Sequence, residues 1–450
     1  MNGREKKRHD RLVGEIEDAL QLGRYIGYGE MYGFVNSLEK MAEQIASMKD
    51  DNAGLQPVRL YEVFLAGCHE KIEECDESGG NLGMFFQDLF CNWIKSRQSV
   101  GLPAEETVAQ ILKWMENDDY GLCFRIEMDI AKVINRDGYD LLIDHFLALI
   151  ENALTDPTNK KNQAPFDYPN EIRLPAMSLK DLYEARKDVR GYAALCQRLG
   201  SSPRDCERLA EMEIAKKHWS HALTWAEKGV ALEPLRDWRN ESSRSIALLK
   251  PKILGKLGRK EDALKTAWTD FEKSPCDFAY DELMQYVPRG KKSEWHERAI
   301  EVASKVNIGT FMDLCVKTRE WERIAARVSA AKHAVLEAVS HYSLEPATKG
   351  LVKRDPLAAA KLYRALGLRI LNSGKSKYYH NALRHLESAR NLFSKADRNS
   401  RWQAVVKTIR AEHSRKYGFM PDFERLVSGK QKKPQSFAVK ARKRWKDQSS

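Results

Sequence analysis

The chain has 450 residues, 42% of them hydrophobic and 31% charged, with a formal net charge of +11. That balance suits a folded, water-facing protein and excludes a largely disordered or membrane-embedded one. No run of about 18 apolar residues occurs, so no transmembrane helix is predicted, and the charged opening from Met1 to Asp10 has no apolar segment, so no secretory signal is expected.

Charge is unevenly placed. Residues 1–170 hold 18 Lys+Arg against 30 Asp+Glu, and the remainder holds 57 against 34. Such asymmetry predicts two regions with different surfaces, the second suited to an acidic partner or to the first region itself.

Along the chain the apolar residues recur at three- and four-residue spacing, the period of a helix with one buried face. Val35, Leu38, Met41, Ala42 and Ile45 form one such stripe, Phe86, Leu89, Phe90 and Trp93 a second, and Val108, Ile111, Leu112 and Met115 a third. Gly23, Gly121, Gly138 and Gly200 fall between periodic segments, where a residue free to take φ > 0 ends a helix. Thr155 to Asn170, with three prolines and little apolar content, reads as a linker. Helix starts are predicted at Ser178-Leu-Lys-Asp181, at Ser202-Pro203 with Asp205, and at Asp355-Pro356. In these the side-chain oxygen accepts unpaired backbone N–H groups, and Pro at the first helical position loses nothing.

The eight cysteines sit in apolar stretches without a CxxC pair, so they read as reduced core residues of a cytoplasmic protein. Cys68 and Cys75, seven apart, are expected to share one helix face.

Two segments beyond the linker are alike. Leu209 to Pro234 and Leu254 to Pro275 each carry A-L-x2-A, beginning at Ala222 and Ala263, with Pro eight residues after the last Ala. Small residues suit a close helix crossing, and Pro stops the second helix, as in a tetratricopeptide-type hairpin. The 41-residue offset exceeds that family's 34-residue period. Trp295 with Ala299, Trp321 with Ala325, and Tyr379 with Ala382 and Ala389 suggest further hairpins.

The stretch from Ser178 to Arg298, together with His413 to Met420, Tyr25-Ile-Gly-Tyr28 and Gly79-Gly-Asn-Leu-Gly83, resembles the uncharacterised tetratricopeptide-like region that follows the SWIM zinc finger in bacterial proteins. The resemblance implies an α-helical repeat domain, linked to nucleic-acid or protein binding only through the neighbouring finger. The finger's C-x-C and C-x-H ligands do not occur here, so zinc binding does not carry over.

The strongest candidate for chemistry is the C-terminal tail. Lys430, Lys432, Lys433, Lys440, Arg442, Lys443, Arg444 and Lys446 could neutralise phosphates, and Trp445 could stack on a base. His218 and His221 could share a metal, but no carboxylate or cysteine stands at a matching spacing, and they read as exposed turn residues. An R-x(4–6)-H pattern at Arg327 and His333, and at Arg4 and His9, reads as a chance match in an Arg-rich chain. Phosphate-loop, zincin and serine-hydrolase motifs are missing.

The sequence thus predicts an all-α chain of helical-hairpin repeats: an acidic helical domain over 1–155, a linker over 156–170, basic tetratricopeptide-like repeats over 171–425 and a flexible basic tail over 426–450. A non-enzymatic scaffold for a protein partner is expected, with nucleic-acid association as the alternative. No cofactor, metal, membrane or small-molecule substrate is expected.

Overall fold

The computed structural model describes residues 3–21, 23–50, 54–156, 168–232 and 241–429. Among the described residues every regular element is a helix, and one isolated parallel bridge joins Ile26 to Cys75. The all-α expectation is met, and no helix there is long and apolar enough to cross a membrane. The chain divides into two compact units between Leu249 and Lys250.

The first unit contains α1 (Gly3–Leu20), α2 (Tyr28–Ala46), α3 (Gln56–Lys71), α4 (Asn81–Ser99), α5 (Ala104–Glu116), α6 (Glu127–Val133), α7 (Arg136–Thr155), α8 (Asn170–Arg186), α9 (Val189–Leu199), α10 (Pro203–Ala215) and α11 (Trp219–Leu232). The unit boundary falls inside α12 (Glu241–Lys256). The aromatic stripe read on α4 is fully inside, with Phe86, Leu89, Phe90 and Trp93 all buried. Rings from α3, α4 and α5 meet there: Phe64 against Phe85 at 5.4 Å, Phe90 against Trp93 at 5.3 Å and Phe86 against Trp114 at 5.7 Å between centroids. Each large side chain withdrawn from water contributes about 1.5–3 kcal/mol.

The second unit continues with α13 (Lys260–Lys273), α14 (Asp277–Tyr286), α15 (Lys292–Val306), α16 (Ile308–Thr318), α17 (Trp321–Ala330), α18 (His333–Ala338), α19 (His341–Leu351), α20 (Pro356–Asn372), α21 (Tyr379–Lys395), α22 (Asn399–His413) and α23 (Met420–Ser428). Its core is built on small residues. Helix α20 packs against α17, α18, α19 and α21 and buries Ala358, Ala359, Ala360 and Ala365. A side chain at Gly367 would place its Cβ 2.8 Å from Leu386 Cγ, so glycine there permits α20 and α21 to close on each other.

One turn recurs. At Lys187, Lys217, Gly258, Arg319 and Asp397 a single residue takes a left-handed φ of 56°, 62°, 78°, 64° and 52°. In each case the following N–H reaches back to the carbonyl five residues earlier: Asp188 to Tyr183, His218 to Glu213, Arg259 to Leu254, Glu320 to Cys315 and Arg398 to Phe393, all at 2.8–2.9 Å. This bond satisfies a terminal carbonyl of one helix and reverses the chain into the next. Five residues past the turn stand Tyr192, Ala222, Ala263, Ile324 and Trp402, and nine past it Cys196, Ala226, Ala267, Val328 and Val406, all buried. The A-L-x2-A pair read in the sequence therefore belongs to a set of five helical hairpins.

Four start and stop expectations meet different fates. Ser202 and Asp205 form a complete capping box, and Asp355 accepts from the Ala358 N–H at 2.9 Å. Ser178 and Asp181 do not start a helix. They lie inside α8, which begins at Asn170 after Pro169, and their side chains are spent on Glu127 and Arg125. Gly138 is likewise no stop, because it sits in the first turn of α7, where its N–H donates to Asn135 Oδ1 at 2.9 Å. Cys68 and Cys75 do not share a helix face, since α3 ends at Lys71 and Cys75 is extended. Most of the predicted linker and Pro234 lie outside the described residues.

Candidate functional site

Between α5 and α6 the chain runs through a short loop that is held from both sides. Asp118 accepts from the backbone N–H of Leu122 (3.0 Å) and of Cys123 (2.6 Å). From α4, Gln87 Nε2 donates to the carbonyls of Leu122 and Phe124, both at 3.2 Å. Leu122 and Ile126 are buried, while Phe124 between them stands 68% exposed. The next residue, Arg125, holds a left-handed φ of 58°, a conformation that costs a non-glycine residue about 1–2 kcal/mol. Four hydrogen bonds thus hold the backbone of a loop whose large apolar ring faces water.

Arg125 is fixed by a two-pronged pair with Asp181 on α8, Nε to Oδ2 at 2.8 Å and Nη2 to Oδ1 at 2.6 Å. Beside it, Lys180 reaches Asp205 Oδ1 at 2.7 Å, and the Tyr192 hydroxyl donates to the same oxygen at 3.0 Å. Burial pushes the Asp205 carboxyl up, but the Lys180 ammonium and the bonds from Lys180 and Ser202 outweigh it and hold Asp205 below its ordinary value. Burial and the Asp205 charge drive the Tyr192 phenol well up, so it stays a donor.

These groups line a cavity of about 620 Å³ together with Phe124, Met177, Glu184, Arg173, Arg204 and Arg208. The acids are engaged: Asp181 and Glu184 with Arg125, Glu184 also with Arg208 at 3.5 Å, and Asp205 with Lys180. Arg173 bonds only Asn170 in its own helical turn, and Arg204 forms no ion pair among the described residues. The lining therefore shows an exposed aromatic ring, a methionine and two uncommitted guanidinium groups, the residue types that anchor protein interfaces. A second groove, of about 950 Å³ over α16–α19, is lined mainly by small residues such as Ala330, Ala331, Ala334 and Ala338 and offers no comparable anchor.

The residues singled out in the sequence fall elsewhere. Lys430, Lys432, Lys433, Lys440, Arg442, Lys443, Arg444, Trp445 and Lys446 all lie outside the described residues. His218 and His221 are exposed, but the expectation that no carboxylate stands near them fails. The Lys217 turn brings Glu213 Oε2 to 2.8 Å from His218 Nδ1 and Oε1 to 3.6 Å from His221 Nδ1. One ligand atom from each of the three lies within 4.8 Å of the others, a spacing that could hold a divalent metal. The hydrogen bond from His218 to Glu213 also closes the hairpin without one. Arg327 donates to the Ser304 carbonyl at 3.3 Å, whereas His333 lines a separate cavity. Trp268 and Trp295 meet edge to face at 5.2 Å under Arg298, in keeping with packing between helices.

Sequence reasoning missed Phe124 and Arg125. A signal was present in Asn117-Asp-Asp119, a turn-forming cluster just before Gly121, but the bonds from Gln87 that fix the loop come from another helix. A family model described as a family of unknown function (DUF6880) matches residues 23–421, and the chain belongs to that family. No curated protein matches it.

Proposed function

We propose that this member of the DUF6880 family is a non-enzymatic helical-repeat scaffold that binds a protein partner at the face around Phe124. One observation carries the reading: a 68%-exposed phenylalanine on a loop whose backbone donates to Asp118 and accepts from Gln87. Exposing a large ring forfeits burial energy, and ordering the loop beneath it forfeits entropy, so the arrangement makes sense as preorganisation for a contact. The fitting occupant is an apolar side chain on an acidic segment, the apolar group resting on Phe124 and Met177 and the acids meeting Arg173 and Arg204. The five hairpins support the tetratricopeptide-like part of the proposal, in line with the resemblance to the region following SWIM fingers. Eight cysteines that form no disulfide, all but Cys276 buried, support a reducing compartment such as the cytoplasm.

The test is affinity capture with the wild-type chain, Phe124→Asp and Arg204→Glu, each with and without nuclease. Retention of a defined protein that survives nuclease, and falls at least about tenfold in both variants, is the expected result. Equal retention by the variants would overturn the assignment of the face.

Nucleic-acid association is the second reading, and the charge of the C-terminal part favours it: residues 250–429 alone hold 35 Lys+Arg against 21 Asp+Glu. Binding of this kind would weaken steeply between 50 and 200 mM salt, by a factor on the order of 10³ if six phosphates are contacted.

A further inference from the structure

We propose that the cavity between α18, α20 and α22 in the second unit is a binding site for a small phosphate monoester. The space is about 380 Å³ and is lined by His333, Lys361, Arg364, Arg401 and Thr408, with Phe393, Ala404 and Val405 as an apolar wall. No carboxylate is among its lining residues.

Two of these cations are more than nine-tenths buried, Lys361 at 9% exposure and Arg364 at 8%. Lys361 Nζ donates to the carbonyls of Val328 (3.1 Å) and Ser329 (2.7 Å), which occupies two of its three donors. Arg364 Nη1 donates to Glu337 at 2.8 Å, leaving its other N–H groups. Arg401 stands in the first turn of α22, and its guanidinium has no hydrogen-bond or ion-pair partner among the described residues. Three positive charges against the single negative charge of Glu337 leave the site at +2. Placing like charges together at low dielectric is unfavourable unless something offsets them.

The cost of this arrangement is visible in the groups themselves. Burial, then the charges of Arg401 and Arg364, push the Lys361 ammonium below its ordinary value. Partial desolvation, followed by Arg364, Lys361 and Arg401, brings the His333 imidazole down to about 4. A dianion would reverse both effects. A phosphate monoester carries close to two negative charges at neutral pH and three acceptor oxygens. It matches the +2, accepts from the spare Lys361 and guanidinium N–H groups, and turns its ester substituent toward Phe393 and Val405.

The experiment is isothermal titration of the full chain with inorganic phosphate, with phenyl phosphate, with benzoate and with a single-stranded oligonucleotide, each for wild type, Arg401→Ala and Lys361→Met. Saturable binding of phenyl phosphate, tighter than inorganic phosphate and benzoate and weakened at least about tenfold by Arg401→Ala, is expected. Inorganic phosphate binding as tightly as the ester would overturn the ester assignment. So would oligonucleotide binding that Arg401→Ala leaves unchanged while phenyl phosphate shows none. Arg401 is exposed, so its variant keeps the test open if Lys361→Met fails to fold.

Discussion

The two units reach the same secondary structure by different packing. In the first, helices α3, α4 and α5 are spaced by large rings, with Phe64, Phe86, Phe90, Trp93 and Trp114 filling the gaps. In the second, α20 and its neighbours close on alanine and glycine, and Ala358, Ala359, Ala360, Ala365, Ala382 and Ala389 are all fully buried. The surfaces differ as well. Residues 1–249 hold 32 Lys+Arg against 42 Asp+Glu, and residues 250–450 hold 43 against 22. Interaxial distance follows the size of the side chains at the contact. A ring-filled core is therefore most vulnerable to truncation, and a small-residue core to enlargement.

That contrast can be broken in order of expected effect. Phe90→Ala removes a fully buried ring and should destabilise the first unit by about 3–5 kcal/mol, read from urea unfolding and from hydrogen exchange in α4. A loss under about 1 kcal/mol would show that the aromatic cluster is not what holds α3 to α5. In the second unit, Gly350→Ala puts a methyl 2.0 Å from Trp321 Cζ3 and should cost about 1–3 kcal/mol, with faster exchange in α17 and α19. A neutral outcome would mean the Trp321 ring has room to yield.

Smaller effects sharpen the picture. Lys217→Gly relieves a left-handed non-glycine residue at a hairpin turn and should stabilise the chain by about 0.5–1 kcal/mol. Unchanged stability would mean that the unfolded chain's extra freedom cancels the gain. The smallest effect is on pH. His333, His385 and His413 in the second unit all titrate below their ordinary 6.5, first because of burial, whereas His145 is the one such histidine among the described residues of the first unit. A depressed histidine binds its proton less readily folded than unfolded, so stability falls as pH drops from 6.5 toward 4. Half-buried Asp270 and Asp313, raised by desolvation, oppose this in part, as do Glu127 and Glu207 in the first unit. Between pH 7 and 5 the second unit should lose more exchange protection than the first, and an equal loss would refute the histidine account. At pH 5.5, phenyl phosphate should raise the melting temperature more than at pH 8, because a bound dianion restores the proton on His333.

What could be read from residues alone was periodic and local. The stripe at Phe86 to Trp93, the capping box at Ser202 and Asp205, and the paired A-L-x2-A segments each obey a rule that spans a few residues on one helix. Of the five hairpins, the one that turns at Lys187 went unread, because its helices lack the A-L-x2-A pattern, while those at Arg319 and Asp397 showed only as the Trp321–Ala325 and Tyr379–Ala389 spacings. Ser178 and Asp181 imitated a helix start because a cap and a tertiary contact use the same side-chain chemistry. The exposed Phe124 and the cluster of Lys361, Arg364 and Arg401 lay beyond any local rule. Gln87 stands 37 residues from Phe124, and Lys361 stands 40 from Arg401. Amphipathic spacing fixes which face of a helix is buried, but which helices meet is a property of the packed chain, and only there do distant charges and rings become neighbours.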